Sequence, residues 1–277
     1  MRANHVKRRL ANGEPSIGTW LGIPSPESAE HVAALGFDWL TVDTEHNPID
    51  IRTASQMFGA IAAAGVAPLV RIPWNDPENF KRVLDAGVWG IVVPMVNSRE
   101  EAERAVEATF FPPRGKRSVG GGMTGLRFGT SGSEYLKHAD DEILLVLQIE
   151  HIDAVERCDE ILGLPGVSAC FIGPNDLAAS MGIGLGVPLE CDHPRMIEAI
   201  EHVRVTAKSV GVAPGIHTSG ANGVNQRIEE GFQFLAMASE LKYTVSGLSA
   251  DLARLNWTRS ERHSTASSTA TESAVRY

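Results

Sequence analysis

Asp43, Glu45 and His46 stand together in TVDTEH, directly after the apolar run FDWLTV. Three titratable groups at the point where a buried element ends form either a solvated loop or part of a reactive site. His46 is of the type that serves as a general base near neutral pH, with Asp43 or another carboxylate orienting its ring. The plainer reading is a surface histidine before Pro48. Arg71 lies inside the apolar run PLVRIP, where an unpaired charge is costly. A substrate carboxylate gripped by both arms of the guanidinium would offset that cost, and so would a carboxylate of the protein itself. LLVLQIE ends in Gln148 and Glu150, and FIGPND carries Asn175 and Asp176. Two converging carboxylates, with no cysteine and no His-x-x-x-His pair beside them, suit a hard divalent cation such as Mg²⁺ or Mn²⁺. The competing reading makes them helix caps, Glu150 for a helix opening near Ile152 and Asp176 for DLAAS. Asp85, in VLDAG, reads by itself as a solvated helical acid.

These groups need a scaffold that brings them together. Short apolar runs alternate along the chain with amphipathic helical patterns. The strand candidates are residues 17–22, 38–43, 68–73, 90–95, 143–150, 168–173, 213–218 and 232–238. Most are continuous rather than alternating, as in parallel strands buried on both faces. Between them, SPESAEHVAALG, DPENFKRVLDAG and SREEAERAVEAT open on capping residues, and the first two close on glycine. Eight β–α repeats in about 250 residues match an α/β TIM (β/α)8 barrel. A doubly wound open sheet is the rival and usually has fewer strands. A barrel gathers its chemistry at the C-terminal ends of the strands. Trp20, Asp43, Arg71, Gln148, Glu150, Asp176 and His217 all fall at or just past such ends, so TVDTEH would face a shared mouth.

Residues 1–255 thus read as one barrel domain. The stretch PPRGKRSVGGGMTGLRFGTSGSEY reads as a long irregular segment. Its GGGMTG does not fit a nucleotide-binding loop and suggests a flexible lid or substrate loop. Residues 256–277 are Ser/Thr-rich and read as a disordered tail.

Composition excludes several classes. The chain of 277 residues carries a net charge of −9 with its basic residues scattered, which argues against a nucleic-acid surface. No apolar run approaches the ~18 residues of a membrane span, and the basic N-terminus has no apolar segment of a secretory signal. Three cysteines without a C-x-x-C pair suggest neither a disulfide framework nor a zinc cluster, and a cytoplasmic setting is expected. Lys81, Lys116 and Lys208 fall on helices or the long loop, which disfavours a Schiff-base lysine at a strand end.

GTWLGIPSPESAEHVAALGFDWLTVDTEH, PLVRIPWNDP, LDAGVWGIVVPMV, FPPRGKRSVG, LQIEH and FIGPNDLAASMG occur in this order. Together they resemble the class II pyruvate aldolases, the 4-hydroxy-2-oxoheptanedioate and 2-keto-3-deoxy-sugar-acid aldolase family, over roughly residues 5–255. The resemblance implies a barrel of the phosphoenolpyruvate/pyruvate type that cleaves a 4-hydroxy-2-oxo acid to pyruvate and an aldehyde. It implies a divalent metal, Mg²⁺ or Mn²⁺ with Co²⁺ also compatible, held by Glu150 and Asp176. It gives Arg71 the pyruvate carboxylate, His46 and Asp43 the acid/base work, and Asp85 a further acid of that machinery. Gln148 would lie beside the metal-bound oxygens, Gly173 and Pro174 would line the carboxylate pocket, and Trp20 would stand near the entrance. It also implies a homohexamer, a trimer of dimers with exchanged C-terminal helices. The chain departs from the family pattern at Thr44, Asn47, Gly125 with Arg127 close behind, and His217. These departures fall on the aldehyde side or the loop. Two rivals stand beside this reading: another pyruvate-type barrel enzyme, such as a citryl-type lyase or decarboxylase, and a non-catalytic regulatory barrel.

Overall fold

The computed structural model describes residues 1–256. Among them eight parallel strands close into a barrel in sequence order: β1 (Ser16–Leu21), β2 (Trp39–Asp43), β3 (Ala67–Arg71), β4 (Gly90–Val93), β5 (Leu144–Ile149), β6 (Ala169–Ile172), β7 (Gly215–Thr218) and β8 (Phe234–Ser239). Each begins and ends within two residues of its expected bounds. The reason is visible in burial: β2, β4, β5 and β6 are buried along their whole length, because the barrel interior covers one face and helices cover the other. The fold is therefore the TIM barrel that the β–α count implied.

Helices start where the sequence supplies caps. The side chains of Ser25, Asp50, Asp76 and Ser98 each accept a first-turn N–H of the helix that follows. Inside the barrel, Trp39 stacks on Phe234 at 4.3 Å and fills the lower layer. Gly18 sits opposite Trp39, and a Cβ there would overlap the indole, so the close packing of that layer needs glycine. The opposite end from the strand termini is plugged by a helix not expected from the sequence, His5–Ala11, whose Val6 and Leu10 are buried and whose cap Asn4 donates to the Trp89 carbonyl at 3.0 Å.

Two expectations change. The segment expected to be irregular through Tyr135 already turns helical at Gly132–Glu142, because Ser131 caps that helix and Tyr135 is buried against Phe128. GGGMTG does not cover the barrel mouth of its own chain. Gly121 lies against Asp85, and Met123 and Arg127 lie against Gly87, beside the helix end that leads into the start of β4. The expectation of a disordered tail lies, from residue 257 on, outside the described residues. No helix among the described residues is long and apolar enough to cross a membrane.

Candidate active site

The pairing of β2 with β3 sets Asp43 directly beside Arg71. Both side chains turn into the barrel, and Arg71 closes a two-pronged ion pair: Nε donates to Asp43 Oδ1 at 2.9 Å and Nη2 to Oδ2 at 2.7 Å. Its third nitrogen, Nη1, lies 3.1 Å from Glu45 Oε2. The guanidinium covers the Trp20 ring at 4.6 Å. Of the two partners open to Arg71 from the sequence, the carboxylate of the protein is the one in contact. Burial alone would raise the Asp43 pKa, but the Arg71 hydrogen bonds and charge outweigh it and hold the carboxyl below its ordinary range. Asn47 Nδ2 donates to Asp43 Oδ2 at 2.6 Å and completes its shell.

His46 is half exposed, and the carboxylate at its side is Glu45: His46 Nε2 lies 3.6 Å from Glu45 Oε2. Asp43 is committed to Arg71 and Asn47, so of the carboxylates open to His46 the one beside the imidazole is Glu45 rather than the Asp43 that the resemblance implied. Glu45 is the residue that links the two halves of this cluster. Burial raises its pKa, while Arg71 and His46 oppose the rise.

Glu150 follows β5 and is buried. It does not cap the next helix; that cap is His151, which accepts the Asp153 N–H. The Glu150 carboxylate instead accepts the Met95 N–H at 2.8 Å and the Gln148 side-chain amide. Burial is the main cause that pushes its pKa up to about 7; the Met95 hydrogen bond resists, and the charge of Asp176 adds to the rise. Gly173 leaves the space this carboxylate occupies, since a Cβ there would come to 2.5 Å from Oε2. Asp176 lies in the first turn of the helix Pro174–Ser180, whose cap is Gly173, and makes no capping bond.

The cluster holds four carboxylates, Asp43, Glu45, Glu150 and Asp176, against one arginine. Two oxygens, Gln148 Oε1 and Asn175 Oδ1, are buried without a hydrogen-bond donor. Excess negative charge and unfilled acceptors at the mouth are the donor set of a hard cation. No group of three or more His, Cys, Asp or Glu side chains placed to hold a metal occurs among the described residues, so such an ion would rest on two carboxylates and on oxygens from outside the protein.

Trp20, under the Arg71 guanidinium, joins Phe171 and His217 in an aromatic cluster beside the charged groups. Trp20 packs edge-on to Phe171 at 5.3 Å and beside His217 at 6.0 Å. It is 5% exposed, which puts it inside the mouth rather than at the entrance. Asp85 joins none of this within one chain. It ends the helix Pro77–Asp85 near the opposite end of the barrel, where it pairs with Arg117 at 3.3 Å.

The match to the family described as HpcH/HpaI aldolase/citrate lyase covers residues 16–246, from the first residue of β1 to beyond β8. The chain belongs to that family. It is 38% identical over 251 residues to a 4-hydroxy-2-oxo-heptane-1,7-dioate aldolase of Shigella sonnei, covering 91% of this chain and 94% of that protein. It is 40% identical to a pyruvate aldolase of Rhizobium etli over 91% of this chain and 97% of that one. Among solved structures, an HpcH/HpaI aldolase/citrate lyase family protein from Burkholderia cenocepacia superposes with a TM-score of 0.84 at 34% identity, covering 91% of this chain and 98% of that chain. The family assignment agrees with the resemblance drawn from TVDTEH, PLVRIPWNDP, LQIEH and FIGPNDL. Sequence reading gave no role to Glu45, Met95 or Phe171. Glu45 was visible as a titratable neighbour of His46, whereas nothing in VVPMV marks Met95 as a donor to Glu150.

Proposed function

We propose that this protein is a metal-dependent aldolase that reversibly cleaves a 4-hydroxy-2-oxo acid to pyruvate and an aldehyde. The observation that carries the reading is Glu150, a buried carboxylate facing Asp176 in a mouth where carboxylates outnumber arginine four to one. Glu150 and Asp176 would hold the cation, Mg²⁺ or Mn²⁺, and when bound it supplies a Lewis acid for the keto oxygen of the substrate. Gln148 positions the Glu150 carboxylate through its amide. The backbone at Gly173 and Pro174 borders the space for the pyruvate carboxylate. Arg71, fixed by Asp43 and stacked on Trp20, stays charged and places its positive potential beside that carboxylate. In cleavage, the C4 hydroxyl gives its proton to His46, the C3–C4 bond breaks, its electron pair passes into the pyruvate enolate, and the aldehyde leaves. Glu45, beside His46 Nε2, stabilises the imidazolium that forms and leaves Nδ1 as the accepting atom. A proton then returns to C3 and completes pyruvate.

One catalytic domain spans residues 1–255 in this reading, and the enzyme is cytoplasmic, with Cys158 and Cys170 as buried free thiols. It works as a homo-oligomer, a trimer of dimers. Supporting this, the helix Glu240–Leu252 and its end leave Leu241, Tyr243, Leu248, Leu252 and Leu255 exposed.

The test is pyruvate release from a series of 4-hydroxy-2-oxo acids, coupled to lactate dehydrogenase. Chelated enzyme is assayed before and after Mg²⁺ or Mn²⁺ is restored. Release that depends on metal and disappears in Glu150→Gln and Asp176→Asn is the expected result. Release that ignores the chelator, or that survives both substitutions at saturating metal, would reject the reading.

A further inference from the structure

Two non-glycine residues among those described hold a positive φ, Met95 at 52° and Ala238 at 50°. Neither conformation is favoured by an L-residue, and such outliers gather where the surroundings impose them for a purpose. Met95 turns its N–H onto Glu150. Ala238, at the irregular end of the β1–β8 pairing, turns its carbonyl inward to His217 Nε2 at 3.3 Å. The same kind of backbone feature that orients Glu150 therefore also orients His217.

A carbonyl oxygen can only accept, so His217 Nε2 carries the proton and Nδ1 carries the lone pair. Nδ1 has no hydrogen-bond partner among the described residues. The ring is partly exposed although Trp20 and Phe171 pack beside it at 6.0 and 6.2 Å, so what remains open faces the mouth. β7 pairs with β6 at Ile172–Ile216, which puts His217 next to the strand that leads into Gly173 and Pro174. It stands beside the border of the pyruvate space proposed above, in the same mouth that must also receive the aldehyde fragment.

We propose that His217 selects the acceptor: its Nδ1 takes a hydrogen bond from a hydroxyl of the aldehyde fragment, which makes a hydroxyaldehyde the preferred partner of pyruvate. This rests on the aldolase reading above. Burial, with Arg71 adding to it, lowers the His217 pKa to about 4, so the ring is neutral near pH 7 and offers a lone pair rather than a charge. A lone pair repels a second carboxylate. Arg71 is already held by Asp43 and Glu45, and Glu190, which accepts the Ser219 N–H at 2.7 Å, adds another negative charge just beyond β7. Lys242 is the nearby cation on that side, and its ammonium is turned to the Ser219 carbonyl at 3.3 Å. A hydroxyl donor suits this surface better than an acid or an alkyl group.

The experiment uses the full chain loaded with Mn²⁺ and two acceptors that differ by one hydroxyl, glycolaldehyde and acetaldehyde. The ratio of their kcat/KM values is read for the wild type, His217→Leu and His217→Asn. Exchange of the pyruvate methyl protons with solvent deuterium is followed in parallel on the wild type. The wild type is expected to favour glycolaldehyde roughly tenfold or more, the scale of one hydrogen bond. His217→Leu should remove most of that preference, and His217→Asn, whose amide oxygen can take the place of Nδ1, should keep part of it. A wild type without the preference, or a His217→Leu ratio equal to the wild type, overturns the assignment of His217 while proton exchange leaves the aldolase reading standing. A wild type that neither exchanges pyruvate protons nor forms a product overturns both.

Discussion

Arg71 and Asp43 face each other across β2 and β3 and share two hydrogen bonds, at 2.9 and 2.7 Å, with Asp43 buried and Arg71 largely so. The pair fixes the plane of the guanidinium over Trp20 and uses up two of its edges before any substrate arrives. Removing the charge of Asp43 takes away the two-pronged partner of Arg71 inside the barrel and leaves it only the single contact to Glu45. Asp43→Asn is therefore expected to lower the unfolding free energy by about 3 kcal/mol at pH 7. The Asp43 pKa is depressed in the folded state, so its contribution is present above the ordinary carboxylate pKa and is lost as pH falls through the lower folded value. Urea unfolding should show wild type and variant converging in acid. Equal stability at pH 7 would mean that the pair is no stronger than its separate solvated ions.

Glu150 gives a pH dependence of opposite sign. Its folded pKa of about 7 lies above the 4.5 of a free glutamate, so between these values the folded, metal-free protein binds a proton that the unfolded chain does not. The stabilisation is full below about pH 4.5 and declines as pH rises through 7, by at most about 3 kcal/mol. Chelated wild type should lose stability over this range, and Glu150→Gln should lose less. Mn²⁺ competes with the same proton, so its affinity should climb from pH 5 to 7. A metal affinity flat over that range would remove Glu150 from the binding site.

The barrel was legible because parallel strands covered on both faces must be continuously apolar, and ILLVLQIE or GIVVPM are hard to place elsewhere. The helix His5–Ala11 was not legible, since HVKRRLA sets three consecutive basic residues at its centre and only Val6 and Leu10 reach the core. The site was legible as a set of residue types at strand ends. Its pairings were not. The partner of Arg71 depends on the β2–β3 register, and the partner of His46 on a turn that sends Asp43 inward and leaves Glu45 beside the imidazole. Met95 and Ala238 gave no signal, because a positive φ without glycine leaves no mark in the sequence.

His46 and Glu45 make a separable prediction about the proton. His46→Gln should lower kcat by about 100-fold or more, the usual scale of a lost general base, with little change in the KM for substrate. Glu45→Gln removes the charge beside the imidazolium, leaves Arg71 its two-pronged pair with Asp43, and should lower kcat by roughly tenfold. The double variant should be no slower than His46→Gln, because Glu45 acts through His46. Steady-state kinetics on the metal-saturated proteins decides it. Multiplying losses in the double variant would show that Glu45 has an independent task.

Gly173 tests whether the space around Glu150 matters as much as its charge. The backbone at Gly173 has φ −96° and ψ 94°, which alanine adopts without strain. The obstacle to a side chain is the Glu150 carboxylate, 2.5 Å from where a Cβ would stand. Gly173→Ala should therefore leave the fold intact and push the Glu150 carboxylate out of its present position. Displacing a ligand group by this route weakens metal binding by about 10- to 100-fold. Mn²⁺ titration of wild type and variant measures it, with thermal unfolding as the check on folding. Unchanged Mn²⁺ affinity in a folded Gly173→Ala protein would mean that the cation does not depend on Glu150 where it now stands.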